Sequence, residues 1–250
     1  ASNNTAVGAS ALLANTTGQY NVAVGSTSLD SNTTGEFNTA LGYYALQANT
    51  TSDGNTAIGS ASLGENTTGS KNTAVGRSSL RQNTTGNYNT GIGRSALHNN
   101  TTASNNTGIG YQALNANTTG TENVAIGAYA ADAGTNISNT VAIGYNALTN
   151  TTNNHNTACG SKALEDNTSG NSNVAVGSLS LTDNTTGGQN TAVGFSCLRY
   201  GTTGSGNAGF GSGALQNNTA SNNTGIGYLA LNANTSGTSN VAIGANALDA

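Results

Sequence analysis

Charge is scarce in this chain. Of 250 residues, 6 are Lys or Arg and 10 are Asp or Glu, for a net charge of −4. No basic stripe exists to displace counterions, which argues against nucleic acid as a partner. Apolar runs are short as well. None approaches the roughly 18 apolar residues of a membrane-spanning helix, so membrane insertion is not expected. The two histidines, His98 and His155, lie far apart, and no His-x-x-x-His or Cys-x-x-Cys metal spacing occurs. GxSxG and phosphate-loop patterns are missing too, so neither an enzyme nor a cofactor is expected. Pro, Met and Trp are absent, and aromatics make up 5%. Such a polar, low-complexity composition ordinarily signals disorder. No signal peptide is visible, and the chain starts at Ala1, a start compatible with processing or truncation.

What the chain has instead is a strict period of seventeen residues, represented by Asn72–Tyr88, NTAVGRSSLRQNTTGNY. Numbering the unit from Asn72, position 5 is Gly in all fifteen copies. Position 9 is Leu except at Ala131, position 1 is Asn except at Thr140, and position 13 is always Thr where the unit reaches it. Position 4 is apolar throughout, and position 3 is only Ala or Gly. Copies start at residues 4, 21, 38, 55, 72, 89, 106, 123, 140, 156, 173, 190, 207, 223 and 240; those at Thr140 and Asn207 are one residue short. A fixed period lets a stacked array bury a continuous core from few large side chains, which overrides the disorder reading.

Seventeen residues are too few for a helix–turn–helix repeat but fit one coil of a β-solenoid. Asn, Thr and Gly are weak helix formers. The unit predicts a short strand at positions 2–4, a bend at Gly 5, a second extended piece around Leu 9, and a turn at N-T-T-G. The expected fold is therefore all-β: a β-solenoid (parallel β-helix or β-roll) of about fifteen coils, one array over 1–250 without separate domains and with no helix longer than a turn. With positions 4 and 9 taken as the inside, alternation puts position 3 outside and Thr 2 inside. Position 3 never exceeds a methyl group, so something abuts it: another chain, or a tight corner of the same coil.

Asn at positions 1 and 12 should form ladders, their amides hydrogen-bonding from coil to coil. The same turn repeats the N-x-S/T sequon at Asn15, Asn32, Asn49, Asn66, Asn83, Asn100, Asn117, Asn150, Asn167, Asn184 and Asn234, which are candidate glycosylation sites. A turn ladder that happens to match the sequon is the favoured reading, because coils ~4.8 Å apart leave little room for a branched glycan on every rung. Cys159 and Cys197 sit two coils apart, beyond disulfide reach, and both read as core residues. Asp166 and Asp183, with Glu165, form the one acidic cluster that could hold a metal such as Ca²⁺; no further ligand is evident, and a solvated edge is the favoured reading. Arg77 and Arg94, stacked at position 6, read likewise. Tyr43, Tyr111, Tyr145, Phe195 and Tyr228 at position 6, with Tyr20, Phe37 and Tyr88 at position 17, are candidate surface contacts, suited to sugars or to another chain.

The stretches Ala96–Ala128 and Ala214–Ala245 are nearly identical seven coils apart, which suggests duplication of a seven-coil block. The chain enters at position 15 and leaves at position 11, so a longer array or end-to-end stacking is expected. The motifs NTAVGxxAL and NVAIGxxA resemble the repeats of trimeric autotransporter adhesin heads, and NTAxGxxAL…NTTG resembles the arrays of phage tail-fibre-like proteins. The resemblance covers the chain from Asn4–Gly8 to Asn240–Gly244. It implies a shaft or head outside the cell, on a cell surface or a virion, that associates with itself and contacts surface glycans. The adhesin coil is shorter than seventeen residues, so their trimeric, left-handed arrangement is not carried over. Two other functions follow from the fold class: ice binding, disfavoured because adjacent Thr at positions 13 and 14 point to opposite sides and because Thr 2 is replaced by Val22, Val124, Val141, Val174 and Val241 and is expected inward, and a glycan-cleaving β-helix, which needs clustered carboxylates that break the repeat.

Overall fold

The computed structural model describes residues 1–249. The chain forms two compact units, Ala1–Asn123 and Val124–Ala250. Each is a β-solenoid. The first carries seven three-residue strands, from Thr5–Val7 to Thr107–Ile109, and the second carries eight, from Val124–Ile126 to Val241–Ile243. Strands are the only regular elements among the described residues. Within each unit the strands pair in parallel and in register, so that Thr56, Ala57 and Ile58 face Thr73, Ala74 and Val75. Each strand is one coil removed from the next, which gives the seventeen-residue period its physical meaning.

Hydrogen bonding along the axis is not confined to the strands. The Gly76 N–H donates to the Ile58 carbonyl at 2.7 Å, Ser78 to Ser60 at 2.9 Å, Leu80 to Ala96 at 2.9 Å, and Thr84 to Thr101 at 2.8 Å. Thr hydroxyls at position 13 add to this, as when Thr67 Oγ1 donates to the Thr84 carbonyl at 2.9 Å. Without a helix among the described residues, the backbone thus pairs around most of the coil.

Glycine at position 5 is required twice over. At Gly76 φ is +126°, a region costly for side-chain-bearing residues. A Cβ there would also lie 2.6 Å from the Gly93 carbonyl oxygen of the next coil. Other left-handed positions are not glycine. Ser78 at position 7, Leu80 at position 9 and Tyr88 at position 17 have φ of 58°, 49° and 57°, and most coils repeat this pattern. Left-handed conformation costs an L-residue about 1–2 kcal/mol. Burial of the Leu side chain, worth about 1.5–3 kcal/mol, offsets it. The two left-handed residues flank position 8 and break the alternation of an extended chain. Positions 8 and 9 therefore both point inward: Ser79 and Leu80 are each fully buried.

The strand faces the opposite way from the sequence expectation. Ala74 is 0% exposed, whereas Ile58, Ile92 and Ile126 are 37–38% exposed and Leu41 is 46% exposed. Position 3 lines the core; positions 2 and 4 face solvent. The core is thin, and position 3 meets positions 8 and 9 directly. A Cβ on Gly91 would sit 2.5 Å from Ser79 Oγ and 3.2 Å from Leu80 Cγ. Of the two explanations for the small residue at position 3, the close corner within the solenoid is the one observed. Serine at position 8 adjusts to what it meets. Ser62 and Ser180 donate back to their own position-5 carbonyls, Gly59 and Gly177, at 2.9 Å, while Ser79, facing Gly91, donates to the Gly91 carbonyl at 2.8 Å.

Both short coils lose their residue in the same turn. Thr152 and Thr219 keep the position-13 bond from hydroxyl to next-coil carbonyl, to Thr168 and Thr235, and His155 and Asn222 keep the left-handed φ of position 17. In the second of them the Ala220 carbonyl accepts from Asn207 Nδ2 at 2.9 Å, as the Gly86 carbonyl does from Asn72, so the missing residue is that of position 14, which is exposed in the full-length coils.

Candidate functional site

The inner surface is occupied by the two asparagine ladders. At position 1, the Asn89 backbone N–H donates to Asn72 Oδ1 at 2.9 Å, and Asn72 Nδ2 crosses the coil to the Gly86 carbonyl at 2.9 Å. At position 12, Asn49 Nδ2 donates to Asn32 Oδ1 at 2.8 Å. Asn32, Asn49, Asn66, Asn83, Asn100, Asn117, Asn167 and Asn184 are fully buried. The nitrogen that would carry a sugar is inside and already donating, so these eight sequons are structural. Asn15 and Asn234 are half-buried, and Asn234 Nδ2 donates to Asn218 Oδ1 at 2.6 Å. Asn150 differs. It occupies position 11, is exposed, and donates to Asp166 Oδ1 at 3.2 Å.

The acidic residues are dispersed among partners. Glu165 pairs with Lys162 at 3.2 Å and accepts from Asn146 Nδ2 at 2.9 Å. Burial pushes the Asp183 carboxyl up; the Arg199 guanidinium pulls it down, and Asp166 and Glu165 push it up further. No group of three or more His, Cys, Asp or Glu side chains able to hold a metal occurs among the described residues, so Glu165, Asp166 and Asp183 do not assemble into a metal site. The cysteines part company. Cys197 at position 8 is core, and burial pushes its thiol up to about 12. Cys159, expected in the core, is exposed because it stands at position 4 on the outward strand face.

That face repeats at every strand of each unit. Position 2 carries Thr, Val or Ala and position 4 carries Val, Ile, Leu, Cys or Phe, with no charge on either position in any coil. The result is an uncharged, largely aliphatic ladder one residue wide at each position.

The position-6 aromatics are exposed as expected: Tyr43 at 57%, with Tyr111, Tyr145, Phe195 and Tyr228 likewise open. At position 17, Tyr20 and Phe37 stack with ring centres 5.0 Å apart and nearly parallel. Sequence reading missed the residues that turn two of these aromatics into grooves. In the first unit, Tyr43 and Tyr44, with ring centres 4.7 Å apart, border an open groove of about 350 Å³ with Ser60, Ala61, Arg77, Ser78 and Arg81. Arg81 is held by Glu65 at 3.6 Å. Arg94, the next position-6 residue, lies with its guanidinium 5.7 Å from the Tyr111 ring centre. In the second unit, Tyr129 and Tyr145 meet edge to face at 6.3 Å beside Asp132, Asn146 and Thr149. Burial raises the Asp132 carboxyl, against the pull of its own and the Ala133 backbone N–H groups, and its Oδ1 is buried without a hydrogen-bond partner.

The coil containing Asp132 departs from the repeat at several positions, and its changes compensate one another. Gly134 replaces Asn at position 12, and Ile137 replaces the small residue at position 15. Ile137 is fully buried, and its Cδ1 lies 2.8 Å from where a Gly134 Cβ would stand. The isoleucine therefore fills the volume that the ladder amide vacates.

No helix among the described residues is long and apolar enough to cross a membrane. Compared with known proteins, the chain matches no family model, no curated protein and no solved structure.

Proposed function

We propose that this chain is a structural fibre or adhesive shaft, working outside the cell, whose solenoid associates side by side with further copies through the outward strand face. The observation that carries the reading is the position-4 ladder, where thirteen of fifteen coils carry an outward aliphatic side chain, eight of them exposed and five half-buried. Contiguous apolar patches of this kind are uncommon on monomers and mark interaction surfaces. Covering the exposed part of each Val or Ile contributes about 1 kcal/mol. Seven such rungs in the first unit are comparable with the cost of bringing two chains together, about 4–15 kcal/mol. A second copy is the fitting partner, because the pattern repeats at every coil and carries no charge that two copies would bring into conflict. A solenoid also suits a shaft, since each coil contacts only its neighbours and the array lengthens without redesign.

Sedimentation velocity tests this reading. The native chain should associate as its concentration rises. The double variant Ile58→Lys, Ile92→Lys should keep the native circular dichroism, because both side chains point outward, and stay monomeric. A native chain that is monomeric across the whole range would sink the proposal.

One observation favours a second reading. Thr at position 2 faces outward beside the aliphatic of position 4, so eight strands, six in the first unit and two in the second, present an outward Thr-x-aliphatic pair. An inward Thr 2, one of the grounds against ice binding, is not what the strand adopts, although Val22, Val124, Val141, Val174 and Val241 still interrupt the Thr ladder. A thermal-hysteresis measurement on the monomeric fraction separates the two: ice binding gives a freezing gap, and a lateral interface gives none.

A further inference from the structure

Beyond the fibre reading, and independent of it, we infer that the corner groove bordered by Tyr43, Tyr44, Arg77 and Arg81 is a binding site for an acidic polysaccharide, one bearing uronate or sulfate groups. Four of the chain's six cationic side chains, Lys71, Arg77, Arg81 and Arg94, fall within twenty-four residues of a protein whose net charge is −4. The two ion pairs among the described residues are Arg81–Glu65 and Lys162–Glu165, so Arg77 has no carboxylate partner. Its guanidinium stands at the groove with its hydrogen-bonding capacity open to an anion, and the planar fork matches carboxylate and sulfate alike.

The rings supply the other half of the recognition. Tyr43 and Tyr44 are both exposed, and they line the same groove as Arg77. A tyrosine face receives the apolar face of a sugar ring while its hydroxyl stays wet. A site built for a small molecule would be enclosed. This one is open and runs along the axis, so it suits a segment of polymer. The position-6 residues Tyr43, Ser60, Arg77, Arg94 and Tyr111 come from five successive coils, rising ~4.8 Å at each step. The order is ring, hydroxyl, cation, cation, ring, with Arg94 kept beside Tyr111 by the cation–π contact. An extended polysaccharide advances by a comparable length per sugar, so successive rungs can meet successive residues.

Binding of the whole 250-residue chain to immobilised polymers tests the site. The probes are polygalacturonate, dextran sulfate, neutral dextran and polyglutamate. The expected result is binding to one or both acidic polysaccharides and none to neutral dextran or polyglutamate. Arg77→Gln and Tyr43→Ala should each weaken that binding about tenfold, while Lys162→Gln in the second unit leaves it unchanged. Circular dichroism of each variant verifies the fold. Equal binding of polyglutamate would mean that charge alone is read, by an acidic-peptide site, and would overturn the proposal. So would failure of both acidic polysaccharides to bind, or native-like binding by Arg77→Gln. The result does not hinge on lateral association, because Arg77 and Tyr43 lie off the strand face and the Ile58→Lys, Ile92→Lys variant should bind as the native chain does.

Discussion

Asn83 Nδ2 donates to Asn66 Oδ1 at 2.8 Å and to the Gly86 carbonyl at 3.0 Å, so one buried amide ties its coil to the preceding one and closes its own turn. Its Oδ1 in turn accepts from Asn100 Nδ2 at 2.9 Å. Two donors and an acceptor are thus satisfied without water. A buried amide so placed specifies register, because a coil displaced by one residue leaves both ladders unpaired. Asn83→Ala removes the rung and orphans buried groups on both sides, at about 1–3 kcal/mol each. The expected outcome is a clear fall in the denaturation midpoint, with hydrogen exchange accelerated at the neighbouring coils first. A midpoint within error of the native value would show that the ladder is dispensable.

Ala74→Leu separates the observed strand orientation from its reverse. Ala74 is fully buried against a core only one side chain deep, so three added carbons have nowhere to go. Overpacking of a close-packed core costs about 1–3 kcal/mol or more. The variant should lose stability and circular dichroism. A leucine accommodated at native stability would require position 3 to face outward.

The period, the role of Gly 5, both asparagine ladders and the inward Leu 9 were legible in the sequence, because each follows from a residue type repeated at a fixed place. The strand face was not. Val and Ile ordinarily mark a buried side, and here the methyl of Ala is inside while the branched residues face out. The informative signal was tolerance. Position 4 accepts Val24, Leu41, Ile58, Cys159 and Phe210, a range of volumes that only an open surface allows, whereas position 3 accepts Ala or Gly alone. The left-handed φ of Leu 9 was hidden for a related reason. Nothing about leucine advertises it, and it is imposed by the need to bury two adjacent side chains in so short a coil. The groove residues Tyr44, Arg81 and Asp132 escaped because positions 7 and 10 vary from coil to coil, and their neighbours emerge only once coils are stacked.

Stability should depend on pH through Asp132. Burial raises its carboxyl above the ordinary value, so the folded chain holds this proton more tightly than the unfolded chain does. The contribution is fully present below the unfolded pKa and is lost as pH rises through the raised folded value. Asp183 is shifted in the same direction. Amide exchange around Ala131 and Ala133, corrected for intrinsic rates, should therefore show more protection in mild acid than at neutrality. Asp132→Asn should flatten that dependence. Greater protection at neutral pH would contradict the sign.

Glycan occupancy should distinguish Asn150 from the ladder. Expressed through a eukaryotic secretory pathway, the chain should carry sugar at Asn150, which is exposed, and none at Asn83, whose amide is buried and bonded. Peptide mass mapping reads both sites at once. Sugar at Asn83 would mean that modification precedes coil closure and that the ladder can open to admit it.

The two cysteines provide a built-in probe of the outward face. Cys159 stands at position 4 among the aliphatic side chains and is exposed, whereas Cys197 is buried with its thiol pushed up to about 12. A thiolate is the reactive form, so in the folded chain near neutral pH Cys197 has neither access nor ionisation. Maleimide should label one thiol per native chain and two after denaturation. The rate at Cys159 then reports on assembly. If copies meet through the strand face, labelling at Cys159 should slow as the native chain is concentrated and recover in the Ile58→Lys, Ile92→Lys variant. Concentration-independent labelling of a chain that nevertheless associates would place its contacts on another surface.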